Sequence, residues 1–254
     1  MKIRVLGCFG SRVPGRSTSC LLVDDKLLLD AGSLASTLNQ AEQVSLDDIL
    51  ITHAHIDHII DLAFLADNVL TSRKTPVRIW AAEPVLDAIR KHLFNNVTWP
   101  DFSLIPTPEN PVINLLPLPA GKQAEIAGYQ VKWEETNHTI YTTAYCVERE
   151  GHALFYSSDT TTTTAIWEMT RKCENLKIAF IEASFPNRME HLAKISGHLT
   201  PEMLKVELEK FGDRDIPIKV FHMKPQFLEE LRAELAAIGD DRLQVLDGGE
   251  VFTF

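Results

Sequence analysis

The sequence predicts one mixed α/β domain of 254 residues, built in two similar halves. In each half, short apolar or alternating runs that read as strands are followed by segments with apolar residues at helical spacing. No low-complexity tract or linker marks a second domain. A chain of this length buries a sizeable core without staples, and single domains of this size are common among sandwiches. The hydrophobic fraction of 45% and charged fraction of 24% are those of an ordinary globular protein.

In the first half, strands are expected at Ile3–Leu6, Ser19–Val23, Lys26–Asp30 and Ile49–Ile51. Val23-Asp24-Asp25-Lys26 supplies a hairpin turn. Helices are expected at Ile59–Leu70 and Glu83–Leu93. In the second half, strands are expected at Gln130–Glu135, Thr142–Val147, Ala153–Tyr156, Ile178–Glu182, Ile218–Phe221 and Leu243–Leu246. Helices follow at Thr164–Cys173, Pro201–Phe211 and Pro225–Ala237, with Pro201 and Pro225 at first helical positions and Thr200 as an N-cap. Between the halves, residues 95–119 carry six prolines and read as an irregular insertion. It is either a passive connection or a cap whose Trp99 or Phe102 stacks on a base.

The chemistry concentrates in Thr52-His53-Ala54-His55-Ile56-Asp57-His58, directly after the apolar run Ile49–Ile51. A lone histidine here would read as a polar turn. Three imidazoles and a carboxylate within six residues read as a metal site, on a strand-to-helix loop where chemistry is usually placed. Nitrogen and oxygen donors of this kind suit zinc, manganese or iron.

The HxHxDH run resembles the signature of the metallo-β-lactamase superfamily. The remaining motifs follow in order: His138 in Glu135-Thr136-Asn137-His138, Asp159 in Ser157-Ser158-Asp159-Thr160, and His222 in Val220-Phe221-His222. The resemblance covers nearly the whole chain and implies an αββα sandwich of two mixed sheets with outer helices. It also implies two divalent ions, zinc by default. His53, His55 and His138 would hold one ion; Asp57, His58 and His222 would hold the other; Asp159 would bridge them. Taken alone, Asp159 could equally be a turn residue or a helix N-cap before Thr160–Thr164.

Within the superfamily, His at position 55 disfavours the di-iron relatives, which typically show HxExDH. Ser196-Gly197-His198-Leu199-Thr200-Pro201-Glu202 resembles the histidine motif of the phosphodiesterase branches. Phe221-His222-Met223-Lys224-Pro225 and Phe180-Ile181-Glu182-Ala183-Ser184 resemble class II cyclic-nucleotide phosphodiesterases, as does the small-residue opening Gly10–Val23. The implied activity is hydrolysis of 3′,5′-cyclic AMP or GMP to the 5′-monophosphate by a metal-bridged hydroxide. Asp57 and His198 are the expected catalytic residues, His198 protonating the departing oxygen. Glu182 is read either as the acceptor of a hydrogen bond from a ligand histidine or as one half of a surface salt bridge. Ser158, Thr160 and Asn137 are phosphate-binding candidates, or turn residues. Ile59-Ile60-Asp61 and Thr161 depart from the branch, which usually carries Gly near those positions. The alternatives are an RNA 3′-end endonuclease of the tRNase Z type and a lactone, lactam or thioester hydrolase.

The net charge of −10 argues against a duplex nucleic acid partner, which needs a basic footprint. It leaves room for a small anionic phosphodiester, because two cations make a site locally positive. No apolar run approaches bilayer length, so no membrane partner is expected. The start, Met1–Gly7, lacks a signal-peptide layout and reads as a strand. Cys8, Cys20, Cys146 and Cys173 form no CxxC pair and are expected to be buried free thiols, in keeping with a cytoplasmic location. A homodimer is expected from the resemblance.

Overall fold

The structure is a computed structural model that describes residues 1–212 and 214–254. Its strands are β1 (Lys2–Gly7), β2 (Cys20–Val23), β3 (Leu27–Leu29), β4 (Asp48–Leu50), β5 (Val77–Ala81), β6 (Pro106–Thr107), β7 (Asn110–Pro111), β8 (Ile113–Pro117), β9 (Gln123–Ile126), β10 (Tyr129–Glu135), β11 (Thr143–Arg149), β12 (His152–Tyr156), β13 (Leu176–Glu182), β14 (Ile218–Phe221), β15 (Leu243–Val245) and β16 (Val251–Thr253). The helices are α1 (Leu34–Thr37), α2 (Gln40–Ser45), α3 (Ile56–Val69), α4 (Glu83–His92), α5 (Ala165–Arg171), α6 (Glu190–Ser196), α7 (Pro201–Phe211) and α8 (Leu228–Ala237).

Two seven-stranded sheets form, in the orders β16-β1-β2-β3-β4-β5-β8 and β15-β14-β13-β12-β11-β10-β9. Each is antiparallel on one side and parallel on the other, with the change at β3 in the first and β12 in the second. The two halves seen in the sequence are therefore real, and the αββα sandwich is the observed fold.

Alternation along the strands explains the two faces of the first sheet. Val5, Leu21, Val23, Leu27, Leu29 and Leu50 join the core that faces the second sheet. Their neighbours Leu22, Leu28, Ile49 and Ile51 join a second core under α3 and α4. A sheet buried on both faces has continuous apolar strands, which is how Leu27-Leu28-Leu29 and Ile49-Leu50-Ile51 read.

Most expected elements stand, and the differences have local causes. Helix α3 starts at Ile56 rather than Ile59, with His55 as its N-cap residue. Asp57 and His58 therefore lie in its first turn, where a carboxylate meets the positive helix end. Thr200 does cap α7, accepting from Met203 N at 3.3 Å. Asp159 is no N-cap, because α5 begins at Ala165 behind Thr164. Pro225 opens a short 3₁₀ turn, Pro225–Phe227, before α8.

Residues 95–119 are not wholly irregular. Ile113–Pro117 pairs in parallel with β5 as the edge of the first sheet. Its prolines bracket the strand, where a missing N–H costs no ladder bond. Phe102 is buried beside Phe94 and cannot stack on a base, while Trp99 packs edge-on against Phe64 of α3.

The cysteine expectation is also corrected. Cys146 and Cys173 are joined, leaving Cys8 and Cys20 as buried thiols. Helix α5 packs on β10 and β11, which brings Cys173, two residues past its end, beside Cys146. Among the described residues, no helix is long and apolar enough to cross a membrane.

Candidate metal centre

Seven residues from four separate stretches converge at the carboxyl ends of the strands. His53, His55, Asp57 and His58 follow β4, His138 follows β10, Asp159 follows β12, and His222 follows β14. This is where open α/β sheets place their ligands. Every metal ligand expected from the sequence is among them.

The donor atoms form two groups. Nδ1 of His55 lies 3.1 Å from Nε2 of His53 and 3.1 Å from Nε2 of His138. Nε2 of His222 lies 3.2 Å from Nε2 of His58 and 3.3 Å from Oδ2 of Asp57. Oδ2 of Asp159 stands between the groups, 3.5 Å from His53, 3.4 Å from His58 and 3.3 Å from His222. A tetrahedral ion with arms of about 2.0–2.1 Å needs donors about 3.3 Å apart. The spacing therefore suits an ion in each group, with Asp159 common to both. Oδ1 of Asp159 is buried and has no hydrogen-bond partner among the described residues. An unsatisfied buried carboxylate oxygen on the residue that stands between the two donor groups fits a cation.

The far side of four of the five rings is tied, which assigns the proton and aims the other nitrogen inward. His58 Nδ1 donates to Asp30 Oδ2 at 2.7 Å, and His138 Nδ1 donates to the Gly197 carbonyl at 2.8 Å. His53 Nδ1 meets Thr52 Oγ1 at 2.9 Å, and His222 Nδ1 meets Ser184 Oγ at 2.9 Å. Asp30 is fully buried and also accepts from Thr52 N, Thr52 Oγ1 and Tyr156 OH.

Charge follows from this packing. Burial, with neighbouring imidazoles, holds His53 well below its ordinary pKa and brings His55 down to about 4, so both present lone pairs at neutral pH. Burial opposes ionisation of Asp159, but His222 and His58 outweigh it and keep the carboxyl far below its usual range. Burial likewise opposes a charge on His58, and Asp159 and Asp30 outweigh it.

His198 sits at the rim. Its ring centroid is 5.0 Å from that of His138 and 5.1 Å from that of His222. Nδ1 donates to Glu182 Oε1 at 2.8 Å. Burial disfavours its charged form, and the Glu182 carboxylate outweighs this, raising its pKa. The structure corrects the role expected of Glu182. Its direct histidine partner is His198, and it reaches the ligand His222 only through Ser184 Oγ, 2.8 Å away. Thr160 and Asn137 tie loops together, Thr160 N to Glu182 and Asn137 Nδ2 to the Thr162 carbonyl. Ser158 Oγ is buried without a partner among the described residues.

Asp30 lies in no motif, and Thr52 and Ser184 lie inside motifs that assign them no role in the site. The one signal for Asp30 is an acidic residue closing the all-apolar run Leu27–Leu29. Three glycines press on the ligands. A Cβ on Gly197 would lie 2.6 Å from His138 Nδ1, one on Gly10 would lie 2.6 Å from the His222 carbonyl oxygen, and one on Gly32 would lie 2.1 Å from the Asp57 carbonyl oxygen.

A family model described as the beta-lactamase superfamily domain matches residues 26–232. The chain belongs to the β-lactamase superfamily. Among its relatives in this superfamily is a probable 3′,5′-cyclic-nucleotide phosphodiesterase of Yersinia pestis, 24% identical, with 89% of this chain and 79% of that protein aligned. Cyclic-nucleotide phosphodiesterases of Saccharomyces cerevisiae and Schizosaccharomyces pombe match over only 20% and 23% of their own lengths. The superfamily fold is shared with unliganded yeast PDE1, at a TM-score of 0.81, 17% identity and 98% coverage of both chains. It is also shared with the metallo-β-lactamase fold protein YhfI of Bacillus subtilis, at a TM-score of 0.78, 18% identity and 99% coverage of both. The fold thus implies divalent metal ions, and the His/Asp clusters supply the donors for them.

Proposed function

We propose that this protein is a dinuclear metal-dependent phosphodiesterase that hydrolyses a 3′,5′-cyclic nucleotide to its 5′-monophosphate. His53, His55 and His138 would hold one ion and Asp57, His58 and His222 the other, with Asp159 shared. Zinc is the default for this donor set, and manganese or iron would use the same residues. When bound, such ions polarise phosphoryl oxygens and bring the pKa of a water towards neutrality.

The observation that carries the reading is the His198–Glu182 pair beside the ligand groups. His53, His55, His138 and Asp159 form one donor group and Asp57, His58 and His222 another, and His198 lies beside both Asp159 and His222, which puts its ring next to the proposed ions where a leaving oxygen would stand. It gives its Nδ1 proton to Glu182, which steadies the imidazolium and lets Nε2 carry a second proton. Nε2 has no protein partner among the described residues. An alkoxide is a poor leaving group, and a positioned acid is what the 3′ oxygen needs as its bond to phosphorus breaks. A thioester hydrolase has less use for one, because a thiolate leaves without a proton. Asp57, on the first turn of α3, would anchor the second ion on the side that opens to a cavity. The cyclic-nucleotide phosphodiesterase named in Yersinia pestis supports the choice of substrate class.

The test is turnover by metal-loaded protein on cyclic AMP, cyclic GMP, bis-p-nitrophenyl phosphate, a precursor tRNA and a lactam reporter. Cyclic-nucleotide turnover carries the reading; lactam turnover with silence on every phosphate removes it.

A further inference from the structure

Lys224 follows the proposed ligand His222 by two residues and is half-buried. Its backbone is pinned. Lys224 N donates to the Ser184 carbonyl at 3.2 Å, and Pro225 opens the 3₁₀ turn behind it. The side chain reaches across to the opening loop, where Nζ donates to the Gly10 carbonyl. Gly10 packs so closely on His222 that a Cβ there would lie 2.8 Å from the ring nitrogen Nδ1. The ammonium also stands 5.9 Å from the centre of the Phe185 ring, and that ring is 5.8 Å from His198. Two separate contacts therefore place this ammonium close to a proposed ligand and to the proposed acid.

Lys224 lines a cavity of about 470 Å³ that also reaches Asp57. That size is within the range of small-ligand sites, about 300–1,000 Å³. The cavity's other cation, Arg12, is met by the Gly32 carbonyl and by Asp61, 3.5 Å away. The cavity's carboxylate, Asp57, belongs to the second donor group, with Oδ2 3.3 Å from His222 Nε2. Lys224 forms no ion pair among the described residues. An ammonium carries three N–H donors and no acceptor. One is given to Gly10, so two remain for a ligand.

We propose that Lys224 is a substrate-binding residue of this site, its ammonium meeting a phosphoryl oxygen of the bound diester. The inference rests on the phosphodiesterase reading above. A phosphodiester carries one negative charge, and an attacking hydroxide brings a second, which the phosphoryl oxygens share in the transition state. A fixed ammonium is worth more there than in the bound substrate. It also needs no rearrangement at that moment, because the Gly10 and Ser184 carbonyls already hold it. This task differs from that of His198. The acid serves the leaving oxygen, so its importance depends on the leaving group. Lys224 serves the phosphoryl group, which every phosphodiester has.

The experiment measures kcat and KM on 3′,5′-cyclic AMP, 3′,5′-cyclic GMP and bis-p-nitrophenyl phosphate for metal-loaded wild type, Lys224→Gln and Lys224→Arg, with metal content and melting temperature for each. Lys224→Gln is expected to keep its metal and to lose about 10²-fold in kcat/KM on all three substrates, mostly in kcat, the cost of one donor aimed at developing charge. Lys224→Arg is expected to keep part of the rate. A Lys224→Gln variant as fast as wild type overturns the inference. So does a loss confined to the cyclic nucleotides, which would turn the ammonium toward the nucleoside. A loss that tracks missing metal or a lower melting temperature in both variants overturns it as well, since Lys224 would then only clamp the Gly10 loop. Turnover of the aryl diester with neither cyclic nucleotide cleaved removes the cyclic-nucleotide reading, and Lys224 is then judged on the aryl diester alone.

Discussion

The carbonyl oxygen of Gly197 lies 2.8 Å from Nδ1 of His138. One residue further on, His198 donates to Glu182. A single turn after α6 therefore aims a proposed metal ligand and positions the proposed acid. Gly197 has φ 74°, in the left-handed region, and a Cβ there would lie 2.6 Å from the His138 ring. Both facts forbid a side chain.

Gly197→Ala is expected to push His138 off its line and weaken one ion. Losses of about 10- to 100-fold in metal affinity are typical when a ligand's outer partner is disturbed. Metal content per chain after dialysis against a weak chelator checks this. Full retention of metal at wild-type affinity would show that the contact is dispensable.

Asp30 makes a similar case on the other group. It accepts from His58, Thr52 and Tyr156 in full burial. Asp30→Asn keeps the shape but presents an amide where a donor must be met. The expected cost is about 1–3 kcal/mol for one unsatisfied buried group, together with weaker metal binding. Denaturant unfolding of metal-free protein separates the first effect from the second.

Much of this centre was legible in the sequence, because ligand chemistry is local and dense. His53 to His58 place four donors in one turn of chain, and the other ligands each end a strand-like run. The supporting residues were not legible. Asp30 and His58 are 28 positions apart, and only the parallel pairing of β3 with β4 brings that strand end beside the loop. Strand β5 was missed although Val77, Ile79 and Ala81 alternate inward, because Arg78 and Trp80 mask the run. Those two turn out to bind Asp48, Trp80 through its ring nitrogen at 2.9 Å. The Cys146–Cys173 link depends on how α5 lies across β11, which no spacing reports.

Metal removal should lower stability. The proposed ligands converge from four stretches of chain, and an ion bound only by the native state stabilises it by about 4 kcal/mol at 1,000 times its dissociation constant. Thermal melting is expected to shift upward on adding zinc to chelator-treated protein. In His53→Ala the shift should shrink, and an unchanged shift there would place the binding elsewhere.

Glu182→Gln should move the pH profile. His198 must carry its proton to act as the acid, and Glu182 raises its pKa against the effect of burial. Activity is therefore present below that raised pKa and is lost as pH rises through it. Removing the carboxylate charge lowers the pKa, so the basic limb of kcat/KM is expected at lower pH in Glu182→Gln than in wild type. Coincident profiles would mean that Glu182 only packs the loop.

The most direct measurement is turnover of a 3′,5′-cyclic nucleotide by wild type and His198→Ala, each with metal content determined. The account predicts that His198→Ala keeps its metal and loses on the order of 10²- to 10⁴-fold in rate, the range of a positioned acid. The loss should be far smaller on bis-p-nitrophenyl phosphate, whose leaving group needs no proton. Metal-loaded wild type that cleaves no cyclic nucleotide, or a His198→Ala variant as fast as wild type, would contradict it.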